Sequence, residues 1–354
     1  MKNLFFLTLK FNLYVVLLLG LLSCKKDDPE PGPIEVPLIE RMLISVVVTE
    51  DNLTVKLPLT GTVDCEIDWY DGNKESVSKP YPTHTYTKAG RYVIMISGTV
   101  TALNSSNLNE SELSRITGVY NWGKTGLTSI NSAFKGCTEL EYIAADSEGS
   151  LANVIDAMEA FSDCESLKEI LAGLFDHCTL VTSFRNTFSN CSSLTEIPAG
   201  LFDHCTLVTS FSNTFSGCSD LIEIPAGLFD YSTNADDFTS SFQNCVSLKK
   251  IPIGLFDHCT IADNFFTTFE NCTSLAEIPI GLFDHCTQIY NLIGTFAGCK
   301  NLEGESPYTI VEGNKIHLYE RENGNGFRKP SYNLLCFKGC SGLSDYKEIP
   351  SDWK

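Results

Sequence analysis

The stretch that decides the fold is "VTSFRNTFSNCSSLTEIPAGLFDHCTL", residues 181–207. It is one of seven copies that keep three apolar positions, here Phe188, Cys191 and Leu194, at a constant step of 27 residues. The recurring residues are Phe134, Phe161, Phe188, Phe215, Phe242, Phe269 and Phe296, then Cys137, Cys164, Cys191, Cys218, Cys245, Cys272 and Cys299, then Leu140, Leu167, Leu194, Leu221, Leu248, Leu275 and Leu302. A constant period of this length is typical of a solenoid, in which each repeat forms one coil stacked on the previous one.

The spacing within one copy predicts its local structure. Apolar residues between Val181 and Cys191 are separated by 3, 4 and 3 residues, which predicts one face of a short helix or a strand-to-helix passage. The segment "SLTEIP" (193–198) predicts a short strand that ends at its proline. A column of Asn and Gly predicts a left-handed turn that caps the helical segment, and its members are Asn190, Gly217, Asn244, Asn271 and Gly298.

The repeat ends in "GLFDHCT", which places Asp, His and Cys close together. The residue types alone allow a thiol nucleophile with its base, a zinc site between stacked repeats, or a structural role. One copy, "GLFDYST" (227–233), keeps the frame but loses both His and Cys. This favours Asp as a turn residue and Cys as a small buried apolar residue. We therefore expect no enzymatic activity, no cofactor, no metal, and free thiols with at most one disulfide, between Cys336 and Cys340.

The N-terminus predicts a targeting signal. Lys2 and Lys10 accompany an apolar run, residues 11–23, that is short for a transmembrane helix. Its "LLSC" ending resembles a bacterial lipoprotein signal, which implies removal of residues 1–23 and lipidation of Cys24; an ordinary signal peptide is the alternative. Residues 24–37 are charged and Pro-rich and predict an extended tether. The "CKKDD" start resembles bacterial surface-export signals, so we expect an outer-membrane, cell-surface lipoprotein, or else one retained facing the periplasm.

Residues 38–118 predict a small β domain, because β-branched runs such as "RMLISVVVTE" (41–50) alternate with turn residues. Two motifs, "DWYDG" (68–72) and "HTYTKAGRYVIMI" (84–96), resemble the PKD-type immunoglobulin-like sandwich, at Trp69, Asp71, Gly72, His84, Tyr86, Gly90 and Tyr92. Tyr70 departs from that pattern, which has Gly there. The residues themselves predict that Trp69 is a core aromatic and that His84 is a hydrogen-bonded structural residue, with a ligand as the alternative. The domain is expected to act as a spacer.

The repeats resemble the BspA-like leucine-rich repeat family of bacterial surface proteins, through "FSNCSSLTEI" (188–197) and "FDHCTLVTSF" (202–211). The resemblance covers about residues 126–302 of a predicted solenoid domain, 119–302, plus a capping copy at 337–350. It implies a curved right-handed solenoid that binds extracellular host proteins. Residues 303–354 are expected to combine this cap with a hairpin around Gly313 and Asn314, which either covers the open end or contacts a ligand. The expected fold class is thus mainly β with short helices: a PKD/immunoglobulin-like sandwich followed by a leucine-rich-repeat solenoid of 27-residue coils.

Charge and the variable columns bear on the partner. The 354-residue chain has a net charge of −19, which argues against nucleic acid, since phosphate binding needs clustered Lys and Arg. Columns that hold Thr and Ser in early copies change to acidic and aromatic residues in later ones. We hypothesise a recognition patch formed by Tyr231, Asp236, Asp237, Asp263, Phe266 and Tyr290, with neutral drift on a solvated face as the alternative. The expected partner is an extracellular protein, or alternatively a glycan, with membrane contact through the lipid anchor only.

Overall fold

The computed structural model describes residues 40–323 and 326–354 and shows a mainly β protein with very little helix. The predicted signal peptide, the lipidation site Cys24 and the predicted tether lie outside these residues. Residues 40 onward belong to one compact unit. The strands are β1 (Met42–Val48), β2 (Thr54–Lys56), β3 (Leu59–Asp68), β4 (Lys74–Val77), β5 (Thr83–Thr85), β6 (Gly90–Leu103), β7 (Ile116–Asn121), β8 (Tyr142–Ile143), β9 (Tyr308–Val311) and β10 (Asn314–His317). The helical elements are α1 (Glu110–Leu113) and the 3-10 turns Leu318–Glu320 and Ser351–Trp353.

The largest sheet is open and has six strands in the order β4-β3-β6-β1-β7-β8. All its pairs are antiparallel except β7 with β8, which is parallel. A separate two-stranded sheet pairs β2 with β5. Because β7 spans the predicted boundary at residue 118 and pairs with both β1 and β8, the sheet continues from the N-terminal strands into the first repeats.

The aromatic residues near the start of the chain are packed as a group. Trp69 is fully buried, as predicted, and its carbonyl accepts a hydrogen bond from the Tyr86 hydroxyl at 3.0 Å. The His84 ring stacks on Trp69 with centroids 4.8 Å apart, and its Nε2 lies 2.8 Å from Asp71 Oδ2. These contacts support a structural role for the histidine. Tyr70 has a φ of 62°, so it takes the left-handed conformation that a glycine would adopt more easily.

Successive repeats are joined through their main chains. For example, the Phe184 N–H donates to the Ser210 carbonyl at 3.0 Å, and the Phe188 N–H donates to the Thr214 carbonyl at 2.9 Å. Parallel bridges between residues 27 apart run along two columns; one comprises Glu169, Glu196, Glu223 and Lys250, and the other contains Ser183, Ser210, Asp237, Asn264 and Asn291. The predicted inward phenylalanines are buried, and consecutive rings stack with centroids 5.4 to 6.0 Å apart. The column continues to Phe337 in the C-terminal copy, 5.7 Å from Phe296.

The segment between Val181 and Cys191 forms consecutive turns, so the predicted short helix is wrong. Asn186 and Asn190 have φ values of 56° and 59°, and a right-handed helix excludes such residues from its interior. The predicted strand at 193–198 is reduced to a single bridge residue, Glu196.

Two columns of left-handed residues shape these turns. The left-handed conformation predicted for the column of Asn and Gly is confirmed, with φ between 59° and 76° at Asn190, Gly217, Asn244, Asn271 and Gly298, although the column follows turns and caps no helix. The second column was not predicted, and it has φ between 51° and 62° at Ser132, Glu159, Asn186, Asn213, Ser240, Thr267, Gly294 and Leu335. Most residues of this second column are not glycine, so the stacking of the repeats holds them in a conformation that they seldom adopt.

The hairpin predicted around Gly313 is confirmed as β9 and β10, and Arg321 in the segment after it contacts the last regular repeat. Arg321 is 3% exposed, and its guanidinium donates to the carbonyls of Phe283 at 2.8 Å and Cys286 at 3.1 Å. One repeat earlier, the equivalent carbonyl on Phe256 accepts from the Cys286 thiol at 3.8 Å. Arg321 therefore supplies the donors that a further coil would have supplied.

Candidate recognition surface

The cysteines of the repeats are buried hydrogen-bond donors. All fourteen cysteines in the described part of the chain are free and buried. In the first column each thiol donates to a phenylalanine carbonyl of the preceding repeat at 3.0 to 3.2 Å, from Cys164, Cys191, Cys218, Cys245, Cys272 and Cys299. In the second column, burial raises the pKa of Cys205 and of Cys286 to about 12. Thiols held neutral in this way are poor nucleophiles and poor metal ligands.

The one predicted disulfide is not formed, because Cys336 and Cys340 are both free. The Cys340 thiol instead donates to the Phe296 carbonyl at 3.0 Å and so continues the first cysteine column.

The Asp and His of "GLFDHCT" have separate roles. The Asp203 N–H donates to the Gly200 carbonyl at 3.1 Å and closes a turn in which Gly200 has a φ of 76°. The chain therefore turns at this aspartate, and the hydrogen bond that closes the turn is donated by its main chain and does not involve its carboxylate. His204, His258 and His285 are exposed on the rim. Within residues 40–323 and 326–354, no group of three or more His, Cys, Asp or Glu is arranged to hold a metal ion.

Three of the six predicted patch residues are stacked on one column. The Asp263 N–H donates to the Asp236 carbonyl at 3.2 Å, and the Tyr290 N–H donates to the Asp263 carbonyl at 2.7 Å. The side chains at these positions therefore follow one another at the spacing of one repeat. Phe266 lies three residues beyond Asp263 and is 36% exposed.

Asp237 is engaged inside the fold. Its Oδ1 accepts from the Thr239 N–H at 3.0 Å and from Asn264 Nδ2 at 3.1 Å, and its Oδ2 accepts from the Ser210 hydroxyl at 3.1 Å. The other residues of this column also accept from the N–H two positions later, namely Ser183, Ser210, Asn264 and Asn291. The change from Ser to Asp to Asn therefore preserves one local turn, and it is no sign of ligand binding.

Tyr231 lies apart from the other five residues. It occupies the rim position that holds histidine in the other copies, and it is 55% exposed. No hydrogen bond or ring contact within the described residues joins Tyr231 to the acidic column. The structure thus brings together Asp236, Asp263, Phe266 and Tyr290, and leaves Tyr231 at a corner of the coil.

The C-terminal copy extends this surface with residues that the sequence analysis missed. Tyr332 bridges to Asn291, and its ring lies 4.9 Å from the Tyr290 ring. The Gly294 N–H donates to the Leu334 carbonyl at 3.0 Å, which places Leu334 next to Ile293 in the row that begins at Phe266. Tyr332 is 48% exposed and Leu334 is 54% exposed. Phe337 follows Phe296 by 41 residues and aligns with it, so Tyr332 and Leu334 align with Asn291 and Ile293 by the same step. The insertion in this last step interrupts the regular period of 27 residues and hides the alignment.

The electrostatics of the surface are dominated by its acids. Burial, and then the Asp237 carboxylate, raise the pKa of Asp236. Burial and the Asp236 carboxylate raise the pKa of Asp263, and the guanidinium of Arg328 offsets part of that rise. We use the name recognition surface for the set Asp236, Asp263, Phe266, Tyr290, Ile293, Arg328, Tyr332 and Leu334.

Comparisons with known proteins do not place the chain in a family. No family model matches it, and no curated protein matches it. One solved structure, the complex of Toll with Spatzle described as a hub in Drosophila development and innate immunity, aligns at 12% identity with a TM-score of 0.17. The alignment covers 72% of this chain and 54% of that chain, so this chain spans about half of the other's length. A TM-score of this size does not establish a shared fold. Nowhere in the described residues is there a helix with the length and hydrophobicity needed to cross a membrane.

Proposed function

We propose that this protein is a non-enzymatic binding protein that attaches to an extracellular protein through the recognition surface. The observation that carries the proposal is the apolar row Phe266, Ile293 and Leu334, on consecutive repeats beside the acidic column. Phe266 and Leu334 are exposed, and Ile293 between them is half-buried. In earlier copies the same row holds Arg185, Ser212 and Thr239.

The apolar row has no packing reason to be apolar. The core of each repeat is complete without it, because the stacked phenylalanines and the thiols are already fully buried. A row of apolar side chains that reaches the surface is typical of protein interfaces, where a few aromatic residues supply most of the binding free energy. An acidic border adds specificity and speeds encounter with a partner of opposite charge.

We also infer that the stacked repeats form a leucine-rich-repeat solenoid carried on a PKD-like sandwich that acts as a spacer. The 27-residue stacking supports the first inference, and the Trp69–His84–Asp71 contacts support the second. An anchor at Cys24 would display the recognition surface outside the cell. Replacing Cys24→Ser tests this, since we expect the variant to leave the membrane fraction and lose protease accessibility on intact cells.

The binding proposal is tested with purified protein against immobilised extracellular-matrix proteins and a glycan array in parallel. We expect protein binding that weakens about 10- to 30-fold in the variant Phe266→Ser, the size typical of an aromatic hot spot. Val246→Ser is the matched control, because Val246 is 39% exposed, lies outside the recognition surface, and has the polar residues Ser219 and Thr273 at its position in the adjacent repeats. Equal binding by both variants would refute the proposed surface, and binding to glycans alone would assign the surface to carbohydrate.

A further inference from the structure

The recognition surface already holds one cation of its own. The guanidinium carbon of Arg328 lies 4.6 Å from the centroid of the Tyr290 ring, which is cation–π geometry. The Arg328 N–H donates to the Thr287 carbonyl at 2.8 Å, so the backbone at this arginine is tied to the last regular repeat. Its charge also acts on Asp263. The surface therefore accommodates a guanidinium against an aromatic face, close enough to Asp263 for its charge to act on that carboxyl group.

One arginine does not balance the acids of this surface. Asp236 and Asp263 follow each other at the spacing of one repeat, and neither carboxylate forms an ion pair with a described residue. Asp237 adds a third negative charge beside Asp236. The unbalanced charge lies next to the apolar row that begins at Phe266, in which Phe266 and Leu334 are exposed. A complementary partner must therefore bring positive charge and apolar area together.

We propose that the recognition surface binds a protein segment in which an arginine or lysine is flanked by apolar side chains. The cation binds beside Asp236 and Asp263, and the apolar neighbours cover Phe266 and Leu334. Arg328 competes with that cation, because it occupies the Tyr290 face in the free protein. This inference rests on the proposed function and names the chemistry of the partner.

The test uses the full chain and a labelled peptide of alternating arginine and leucine, with the dissociation constant measured by fluorescence anisotropy at physiological salt. The double variant Asp236→Asn with Asp263→Asn is expected to bind about 10-fold more weakly, as for partly buried charge pairs. The matched control is Glu196→Gln with Glu223→Gln, which removes the same charge from an exposed column elsewhere. We expect the control to change affinity by less than about 2-fold.

The Arg328→Met variant separates competition from simple attraction. Methionine keeps much of the apolar stem and removes the competing charge, so we expect binding about 3- to 10-fold tighter, as for the loss of one cation–π competitor. Unchanged or weaker binding would overturn the competition. A peptide of alternating glutamate and leucine is expected not to bind, and a peptide of arginine and glycine is expected to bind more weakly than the arginine–leucine peptide.

Other outcomes would overturn the inference itself. Equal weakening by the aspartate and glutamate double variants would show that the peptide responds to net charge only. Equal binding of the glutamate–leucine peptide would remove the preference for a cation. A partner protein that loses affinity for Phe266→Ser, but not for the double variant at Asp236 and Asp263, would refute the cation preference and leave the proposed function standing. Failure of the proposed function would instead appear as protein binding unaffected by Phe266→Ser, and the peptide titration does not depend on that result.

Discussion

Replacing Ser232→Cys is expected to stabilise the protein. Ser232 occupies the second cysteine column, where the other repeats described above place a thiol. Its side chain is fully buried, and its hydroxyl has no hydrogen-bond partner among the described residues. The thiols of Cys205, Cys259 and Cys286 each reach a carbonyl of the preceding repeat at 3.6 to 3.8 Å. A cysteine at 232 would regain that contact, because the C–S bond is longer than the C–O bond.

The magnitude follows from the unpaired hydroxyl. A buried polar group without a partner costs about 1–3 kcal/mol relative to water. A thiol is less polar and fills the space that the other repeats of this column provide for sulfur. We therefore expect Ser232→Cys to raise the free energy of unfolding by about 1–2 kcal/mol.

The assay is urea unfolding under reducing conditions. The free energies of unfolding are compared between variants whose dependence on urea concentration has the same slope. A matched pair of alanine variants isolates the hydroxyl. Ser241 is equally buried, but its Oγ lies 2.9 Å from the carbonyl oxygens of both Phe211 and Phe238. Ser241→Ala is expected to cost about 1–2 kcal/mol, whereas Ser232→Ala removes only an unpaired hydroxyl and is expected to be neutral or stabilising. A destabilising Ser232→Cys, or equal costs for the two alanine variants, would refute the reasoning.

Three further substitutions test the cap, the acidic surface and the turns. Arg321→Met leaves the carbonyls of Phe283 and Cys286 without donors and should destabilise the last regular repeat by about 3 kcal/mol or more. The loss should appear as faster amide exchange in that repeat, and unchanged exchange would contradict the capping role. The pKa of Asp263 is raised in the folded state, so the free energy of unfolding falls as pH rises from the ordinary pKa of 3.8 through the raised one. Asp263→Asn should therefore stabilise the protein at pH 7, and this gain should vanish below about pH 4. A gain that persists in acid would show another cause. Thr267 has a φ of 51°, a left-handed conformation that asparagine adopts more easily than threonine. Thr267→Asn should therefore raise the denaturation midpoint by the equivalent of about 0.5–1 kcal/mol. A lowered midpoint would mean that the contacts of the threonine side chain outweigh the backbone strain.

The candidate surface was predicted in part. The alignment of Asp236, Asp263 and Tyr290 follows from the period, because residues one repeat apart must lie side by side in a stack. Asp237 also occupies a column whose residues differ between repeats, but its carboxylate stabilises a local turn. Sequence variation alone does not distinguish such a turn residue from a ligand-binding residue. Arg328 reaches the surface from a segment outside the repeat, so no period places it there.

By itself, the sequence determined which side chains face inward. Phe188, Cys191 and Leu194 recur without a slip, and burial of apolar area at a constant period allows one orientation of each coil. It also determined the left-handed turn at Asn190, because Asn and Gly carry a recognisable preference for that conformation. Only the tertiary structure decided that each coil is a chain of turns with a second left-handed column. Thr267 has no local preference for such a turn, and hydrogen bonds to the neighbouring repeats hold it there.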